Sequence, residues 1–245
     1  MDPTLGEDDR HCMPIESADE RRRSAVLAGY QRNVPLARSF LEDADAGVRA
    51  RALGALQRSN ALDAPTLSRA LGDPDPTVRR RAVELVPRMP EVDLADALDD
   101  VATVAETAAW ACGERGASEM EFAALIDMAR AHDDALCREA AVAALGAIGD
   151  DRALPAVMAA LEDRPAIRRR AVLALAAFEG GEVDAALRHA AQDRDWQVRQ
   201  AAEDLLAIDE ADDGPEPTTS ESGPSRRVAR DSGLNQPSTN PPEGP

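Results

Sequence analysis

The chain of 245 residues is strongly acidic, because 46 aspartate and glutamate residues outnumber 28 basic residues, all of them arginine, and the formal net charge is -18. Such a charge keeps a protein soluble and disfavours nucleic acid and anionic membranes as partners. Aromatic residues make up only 2% of the chain. That content is low for one conventional core and suits an Ala, Leu and Val interior between thin helical layers.

The cysteines and the hydropathy pattern indicate a cellular setting. Cys12, Cys112 and Cys137 are odd in number and widely spaced, which argues against a disulfide framework and for a reducing compartment. No segment approaches the roughly 18 consecutive apolar residues of a membrane span. The acidic N-terminal region lacks the apolar stretch of a secretory signal. We therefore expect a cytoplasmic protein that acts as a monomer.

In chain order, residues 1–18 are expected to be a disordered extension, and a repeated pattern begins at residue 19. An apolar anchor residue recurs at intervals of 26 to 33 residues, and residues 19–30 fit one more, degenerate copy. A period of this size indicates a repeat architecture whose units cannot fold alone. The six anchors are Val48, Val78, Val104, Cys137, Ile167 and Val198.

Each copy is predicted to form two helices joined by a turn. The first helix is short, and its apolar residues have helical spacing. In the third copy these residues are Leu94, Ala97 and Leu98. The turn is rich in Asp, Pro and Gly and places an acid such as Asp134 at the N-cap of the second helix. Alanine follows every anchor by four positions, where a small side chain lets helices approach closely. These alanines are Ala52, Ala82, Ala108, Ala141, Ala171 and Ala202.

After Ile208 the repeated pattern stops. Residues 209–245 are dominated by Pro, Gly, Ser, Thr and acids, and Val228 and Leu234 are their only large apolar side chains. Such a composition cannot bury enough surface to offset the entropy of ordering. We predict that residues 19–208 form one helical domain and that residues 209–245 form a disordered acidic tail.

The repeated motif Asp-x-Asp-x-x-Val-Arg-x-x-Ala resembles HEAT-like repeats, in particular the short kind first described in phycobilisome lyases. It occurs as Asp45 through Ala52 and Asp75 through Ala82. The resemblance implies an all-α, right-handed α-solenoid of about six to seven helical hairpins. It also implies a hydrogen-bonded ladder of turn aspartates and helix arginines between layers, interrupted at Ala105. The implied ladder residues are Asp45, Arg49, Asp75, Arg79, Arg138, Arg168, Asp195 and Arg199.

Trp110 is the first candidate for contact with a partner. It lies six residues after its anchor, at a position that varies among the copies and is expected to face solvent. Large aromatic side chains on a polar surface are common binding anchors. The alternative is that Trp110 fills a gap left by the irregular third copy.

The second candidate is a ridge of arginines on the second helices, which could receive carboxylates or phosphates from a partner. The alternative is a solvated face whose arginines pair with acids such as Glu84, Glu106 and Glu139. The proposed partner-binding residues besides Trp110 are Arg51, Arg80, Arg81, Glu84, Arg169, Arg170 and Leu173.

Two other features favour structural roles. Trp196 lies in the last turn, where we expect it to cover the end of the stack, because terminal repeats need a cap. His132, Asp133, Asp134 and Cys137 resemble a set of metal ligands, but no second ligand pair accompanies them. We therefore predict no metal and no cofactor.

The pattern favours a non-catalytic scaffold that binds a protein or peptide on the concave face of the solenoid. The alternative is an enzyme on the same repeats, either similar to bilin lyases or similar to alkylpurine DNA glycosylases. Deoxyhypusine hydroxylases resemble this architecture but depend on His-Glu metal pairs. None of His11, His132 and His189 is followed by Glu.

Overall fold

The computed structural model describes residues 17–212, with side chains for residues 17–208. This part of the chain consists of helices and connecting turns without a strand, which confirms the predicted all-α solenoid. The predicted N-terminal extension and nearly all of the predicted tail lie outside the described residues. The helices are α1 (Ala18–Tyr30), α2 (Val34–Ser39), α3 (Ala46–Arg58), α4 (Ala64–Leu71), α5 (Pro76–Val83), α6 (Ala102–Arg115), α7 (Glu119–Ala131), α8 (Ala135–Ile148), α9 (Leu154–Ala160), α10 (Pro165–Leu175), α11 (Gly181–Ala190) and α12 (Trp196–Asp212).

The second helices of the hairpins stack in sequence order. Helix α1 packs on α3, and the series continues through α5, α6, α8, α10 and α12, while α2, α4, α7, α9 and α11 pack beside it. Helix α12 continues to Asp212, past the predicted domain end at residue 208. The reason is local, since Glu210 and Ala211 are good helix formers.

The third hairpin lacks a regular first helix. Leu94, Ala97 and Leu98 are buried, as their spacing predicts, but the segment forms only a 3-10 turn at Asp96–Asp99. Asp93, Asp96 and Asp99 lie among these apolar residues, and aspartate favours caps and turns over helix interiors. The prediction of a helix at this position was therefore wrong, although the prediction of its buried side chains was right.

Small side chains set the distance between layers. The six alanines that follow the anchors are all fully buried. A Cβ atom at Gly146 would lie 2.8 Å from the Cα atom of Ala174, so α8 and α10 approach closely at this point. A larger side chain there would have to push the two layers apart.

Arginines on the second helices link successive layers through bidentate ion pairs. Arg49 Nη2 donates to Asp73 Oδ1 at 2.6 Å, and the same guanidinium donates to the carbonyl of Asp43 in its own turn at 2.8 Å. The pairing lowers the pKa of the aspartates involved, because the charged carboxylate accepts the guanidinium hydrogen bonds. The equivalent pairs are Arg79 with Asp100, Arg138 with Asp163 and Arg168 with Asp193.

The aspartates of the ladder differ in part from the predicted ones. Asp75 and Asp195 do not pair with an arginine of a neighbouring layer among the described residues. They cap their own helices by accepting the backbone N–H of Thr77 and of Gln197. The first aspartate of each turn points to the preceding layer instead, since the second is used as the N-cap. Asp45 does both, because it accepts from Arg22 of α1 and from the backbone of Val48.

The ladder is absent between α6 and α8. Ala105 occupies the arginine position, and His132 occupies the position of the accepting aspartate in the next turn. His132 Nδ1 accepts the backbone N–H of Asp134 at 3.0 Å, as the carboxylate of Asp73 does for Asp75 at 2.9 Å. The turn is therefore preserved without the inter-layer pair. The sequence placed the interruption at Ala105, and the link from α5 into the third hairpin through Arg79 and Asp100 remains intact.

The last predicted ladder residue, Arg199, donates to the carbonyls of Asp193 and Arg194 in its own turn. Within residues 17–208, no following layer supplies it with a carboxylate.

Candidate functional site

A groove of about 680 Å³ lies on the surface of the stacked second helices. Here it is called the Trp110 groove. Helices α6 and α8 form its two walls, and α5 and α10 each contribute one arginine. Its lining residues are Arg80, Thr103, Glu106, Thr107, Trp110, Gly113, Glu114, Leu136, Glu139, Ala140, Ala143, Ala144, Ala147 and Arg170.

Trp110 is placed in this groove by the register of α6. Ala108, Ala109 and Ala111 are buried against neighbouring layers, which turns the intervening Trp110 outward. Its side chain is 53% exposed. Trp110 therefore does not fill an internal gap in the third hairpin, and its role as an anchor for a partner stays a prediction.

The opposite wall of the Trp110 groove is mostly apolar. Helix α8 contributes Ala140, Ala143 and Ala147, and the exposed side chain of Leu136 lies at one end. Leu173 borders an adjoining pocket of about 340 Å³, which shares Ala143, Ala147 and Arg170 with the groove. A continuous apolar strip thus extends from Trp110 toward α10.

Both arginines of the groove already have carboxylate partners. Arg80 Nε lies 3.3 Å from Glu84 Oε1, and Arg170 Nη2 lies 3.3 Å from Glu139 Oε1. These contacts are partly exposed and each contributes little stability. They match the alternative interpretation of the arginine ridge as a solvated, paired face.

The other arginines proposed for binding do not line the Trp110 groove. Arg81 pairs with Glu84 at 2.8 Å, and its guanidinium lies over Gly54 of α3. Arg51 donates to the carbonyl of Gly47 at 2.8 Å. Arg169 is exposed on α10. The structure thus brings Trp110, Arg80, Arg170 and Leu173 together on one surface and leaves Arg51, Arg81 and Arg169 outside the groove.

Trp196 does not cover the end of the stack. It is the first residue of α12, and its side chain is 64% exposed. Val198 and Ala202 of the same helix are buried in its place. The predicted capping role is therefore wrong for the described residues, where a side chain this exposed covers little of a neighbouring layer.

The cysteines and histidines of the described chain form no metal site. Among residues 17–208, no group of three or more His, Cys, Asp or Glu side chains is placed to hold a metal ion. Cys112 and Cys137 are buried and unpaired. Burial, with a smaller contribution from Glu121, raises the pKa of the Cys112 thiol to about 12.

A buried ion pair links the end of α6 to α7 and is not predicted by the repeat pattern. Glu121 is fully buried and pairs with Arg115, the last residue of α6. Glu121 Oε1 also accepts the backbone N–H of Leu94 at 2.7 Å, and Arg115 Nη1 donates to the carbonyl of Pro90 at 3.0 Å. The pair thereby holds the irregular segment of the third hairpin in place. The available sequence signal was the capping box from Ser118 to Glu121.

The stacked hairpins, the buried alanines and the arginine ladder define a helical repeat protein. Residues 122–207 match the family model of HEAT repeats. This match supports the resemblance to HEAT-like repeats that the sequence motif indicates. A search of curated proteins found no match.

The chain aligns with several solved structures. The Escherichia coli protein YibA is 18% identical over 80% of this chain and 78% of its own, with a TM-score of 0.52. Human deoxyhypusine hydroxylase in complex with glycerol is 23% identical over 81% of this chain and 82% of its own, with a TM-score of 0.42. The likeness to YibA concerns the fold alone. None of the helices between residues 17 and 212 combines the length and the apolar composition that a membrane span requires.

Proposed function

We propose that the chain is a non-catalytic interaction module that binds a peptide or a segment of another protein in the Trp110 groove. The observation that carries the proposal is the half-exposed Trp110 at the wall of a groove of about 680 Å³. Exposed tryptophan in a recess is a preferred anchor in protein interfaces. In the expected solenoid the second helices line the concave face, which is the extended surface that repeat proteins use for binding.

The shape and chemistry of the groove suit an extended or helical peptide. The indole of Trp110 offers a large apolar surface, and the alanines of α8 leave room for a partner's side chain opposite it. Glu106, Glu114 and Glu139 provide acceptors at the margin for the partner's polar groups. A rim of charged groups around an apolar centre is the usual composition of a protein interface.

The experiment is affinity purification of the full chain from its host with chemical crosslinking, in three forms. Trp110→Ala removes the anchor, and Trp196→Ala is the matched control, because both tryptophans are more than half exposed and only Trp110 lines the groove. We expect the wild type and Trp196→Ala to retain the same crosslinked partner and Trp110→Ala to lose it. The far-ultraviolet circular dichroism of all three should agree.

Retention of the partner by Trp110→Ala would contradict the proposal. The alternative is a HEAT-like enzyme that acts on a bilin or on an alkylated base. Turnover of either compound by the wild type, with no crosslinked protein partner, would favour that alternative.

A further inference from the structure

The Trp110 groove contains a stripe in which one aromatic residue lies between two acids. Glu106, Trp110 and Glu114 follow one another at intervals of four residues on α6, so their side chains lie on one helix face, about 5–6 Å apart at Cβ. All three are exposed. Among residues 17–208, neither carboxylate forms an ion pair or a side-chain hydrogen bond. We call these three residues the acid–aromatic stripe.

The uncompensated charge of the groove is therefore negative and is centred on Trp110. Arg170 pairs with Glu139 and Arg80 shares Glu84 with Arg81, whereas Glu106 and Glu114 have no basic partner among the described residues. Three carboxylates and two guanidinium groups line the groove, which leaves an excess of negative charge. A guanidinium group placed over the indole would gain a cation–π interaction. It could also donate to a carboxylate on either side. The alanines of α8 would accept an aliphatic residue next to that arginine.

One segment of this chain has the matching chemistry. Residues 226–230 read Arg-Arg-Val-Ala-Arg, and they contain all the basic residues that follow Arg199. The segment lies outside the described residues. We propose that residues 226–230 bind the acid–aromatic stripe, with an arginine on Trp110 and Val228 against the α8 wall. The inference rests on the proposed function in one respect, namely that the Trp110 groove is a peptide-binding surface.

The length of the connecting chain allows this contact. The described structure ends at Asp212 in α12, which packs on α10, and α10 packs on α8. Three layer spacings of about 8–10 Å separate α12 from α6. Residues 213–225 span up to about 45 Å when extended. The basic segment can therefore reach the groove within the same molecule.

An intramolecular ligand would compete with any partner for the groove. A short flexible tether gives an effective concentration on the order of millimolar. A segment with an intrinsic dissociation constant of about 0.1 mM would then occupy about nine-tenths of the grooves and weaken binding of an external ligand about tenfold. Modification or capture of the basic segment would release the groove.

The first test follows the fluorescence of Trp110 in the full chain. Trp196→Phe leaves Trp110 as the sole tryptophan, since the chain has two. In this background, Arg226, Arg227 and Arg230 are replaced together by alanine, which we call the neutral-tail variant. We expect acrylamide quenching of Trp110 to rise at least about twofold in the neutral-tail variant, because the tethered segment no longer shields the indole. Equal quenching with and without the three arginines would overturn the inference.

The second test adds the segment in trans as a labelled peptide of residues 222–234. Fluorescence anisotropy should show about tenfold tighter binding to the neutral-tail variant than to the unmodified chain, which competes with itself. Adding Glu106→Gln and Glu114→Gln to the neutral-tail variant should weaken binding about tenfold. Adding Glu179→Gln and Glu182→Gln should not, because these exposed acids lie outside the groove. Equal effects of the two pairs, or tighter binding of a peptide with glutamate in place of arginine, would overturn the inference.

The two proposals fail in different ways. If the peptide does not bind but Trp110→Ala still abolishes capture of a partner, the proposed function stands and this inference is wrong. If the peptide binds as described and no external partner is captured, this inference stands and the groove serves the chain's own segment.

Discussion

Removal of the Glu121 carboxylate should destabilise the protein more than most single substitutions. Glu121 is fully buried, and it accepts from Arg115 and from the backbone N–H groups of Leu94 and Ser118. Glu121→Ala leaves a buried guanidinium without its carboxylate, which typically costs about 3–5 kcal/mol. For a chain of this size that corresponds to a fall in melting temperature of about 6–20 °C. The loss should begin in the third hairpin, since this pair holds Pro90 through Leu94.

The assay is urea unfolding of the full chain, followed by far-ultraviolet circular dichroism. The double variant Arg115→Met with Glu121→Leu is the informative control, because it removes both charges and keeps apolar volume. It should be more stable than Glu121→Ala by at least about 1 kcal/mol, since replacing a buried pair by apolar side chains is often nearly neutral. A Glu121→Ala variant that loses less than about 1 kcal/mol, or a double variant no more stable than it, would refute the reasoning.

Two further predictions concern the layers. Gly146→Ala should lower the free energy of unfolding by about 1–3 kcal/mol, because the added methyl would lie 2.6 Å from the Cβ of Ala174. The control variant Gly181→Ala should be near neutral, because a methyl at that position meets nothing within 4 Å. Equal urea midpoints for the two variants would contradict the close approach of α8 and α10. Acid should also weaken the arginine–aspartate ladder. The arginine pairs hold the pKa of Asp100 and of Asp163 below the ordinary value of 3.8. The stabilisation of the fold by these pairs is therefore present in full above pH 3.8 and is lost as the pH falls below 3.8 toward the lowered pKa values. Urea titrations between pH 6 and pH 3 of the wild type and of an Arg138→Gln variant check this, and an identical pH dependence of the two would contradict a contribution from the Asp163 pair.

The sequence predicted the repeated part of the fold and missed what departs from the repeat. The stack of hairpins is predicted reliably, because six copies repeat the same pattern of an apolar anchor followed by an alanine four residues later. The third hairpin has no such support, so Leu94, Ala97 and Leu98 were correctly placed in the core but wrongly placed in a helix. What fixes that segment is Glu121, which lies in the next hairpin and meets Leu94 only after folding.

The candidate site was predictable in part. The position of Trp110 within its copy indicated an exposed aromatic, and the structure shows it exposed in a groove. Which arginines would join it depends on how successive layers are rotated, and the sequence pattern does not contain that rotation. Arg80 and Arg170 line the groove, while Arg81 lies over α3. Trp196 was misplaced for a related reason, since the repeat does not specify where the first residue of the last helix points.

Neighbouring second helices meet at two kinds of junction, because the ladder pair is missing between α6 and α8. The other neighbouring second helices, from α1 to α12, are tied by arginine–aspartate pairs that salt screens and acid neutralises. Among residues 17–208, no ion pair joins α6 to α8, and their contact is made by Cys137, Ala108, Ala144 and similar apolar groups. This junction therefore depends on temperature in the manner of apolar contacts, and it has no inter-layer ion pair for salt to screen. Helices α6 and α8 also form the walls of the Trp110 groove, so the packing of these two walls against each other does not depend on an inter-layer ion pair.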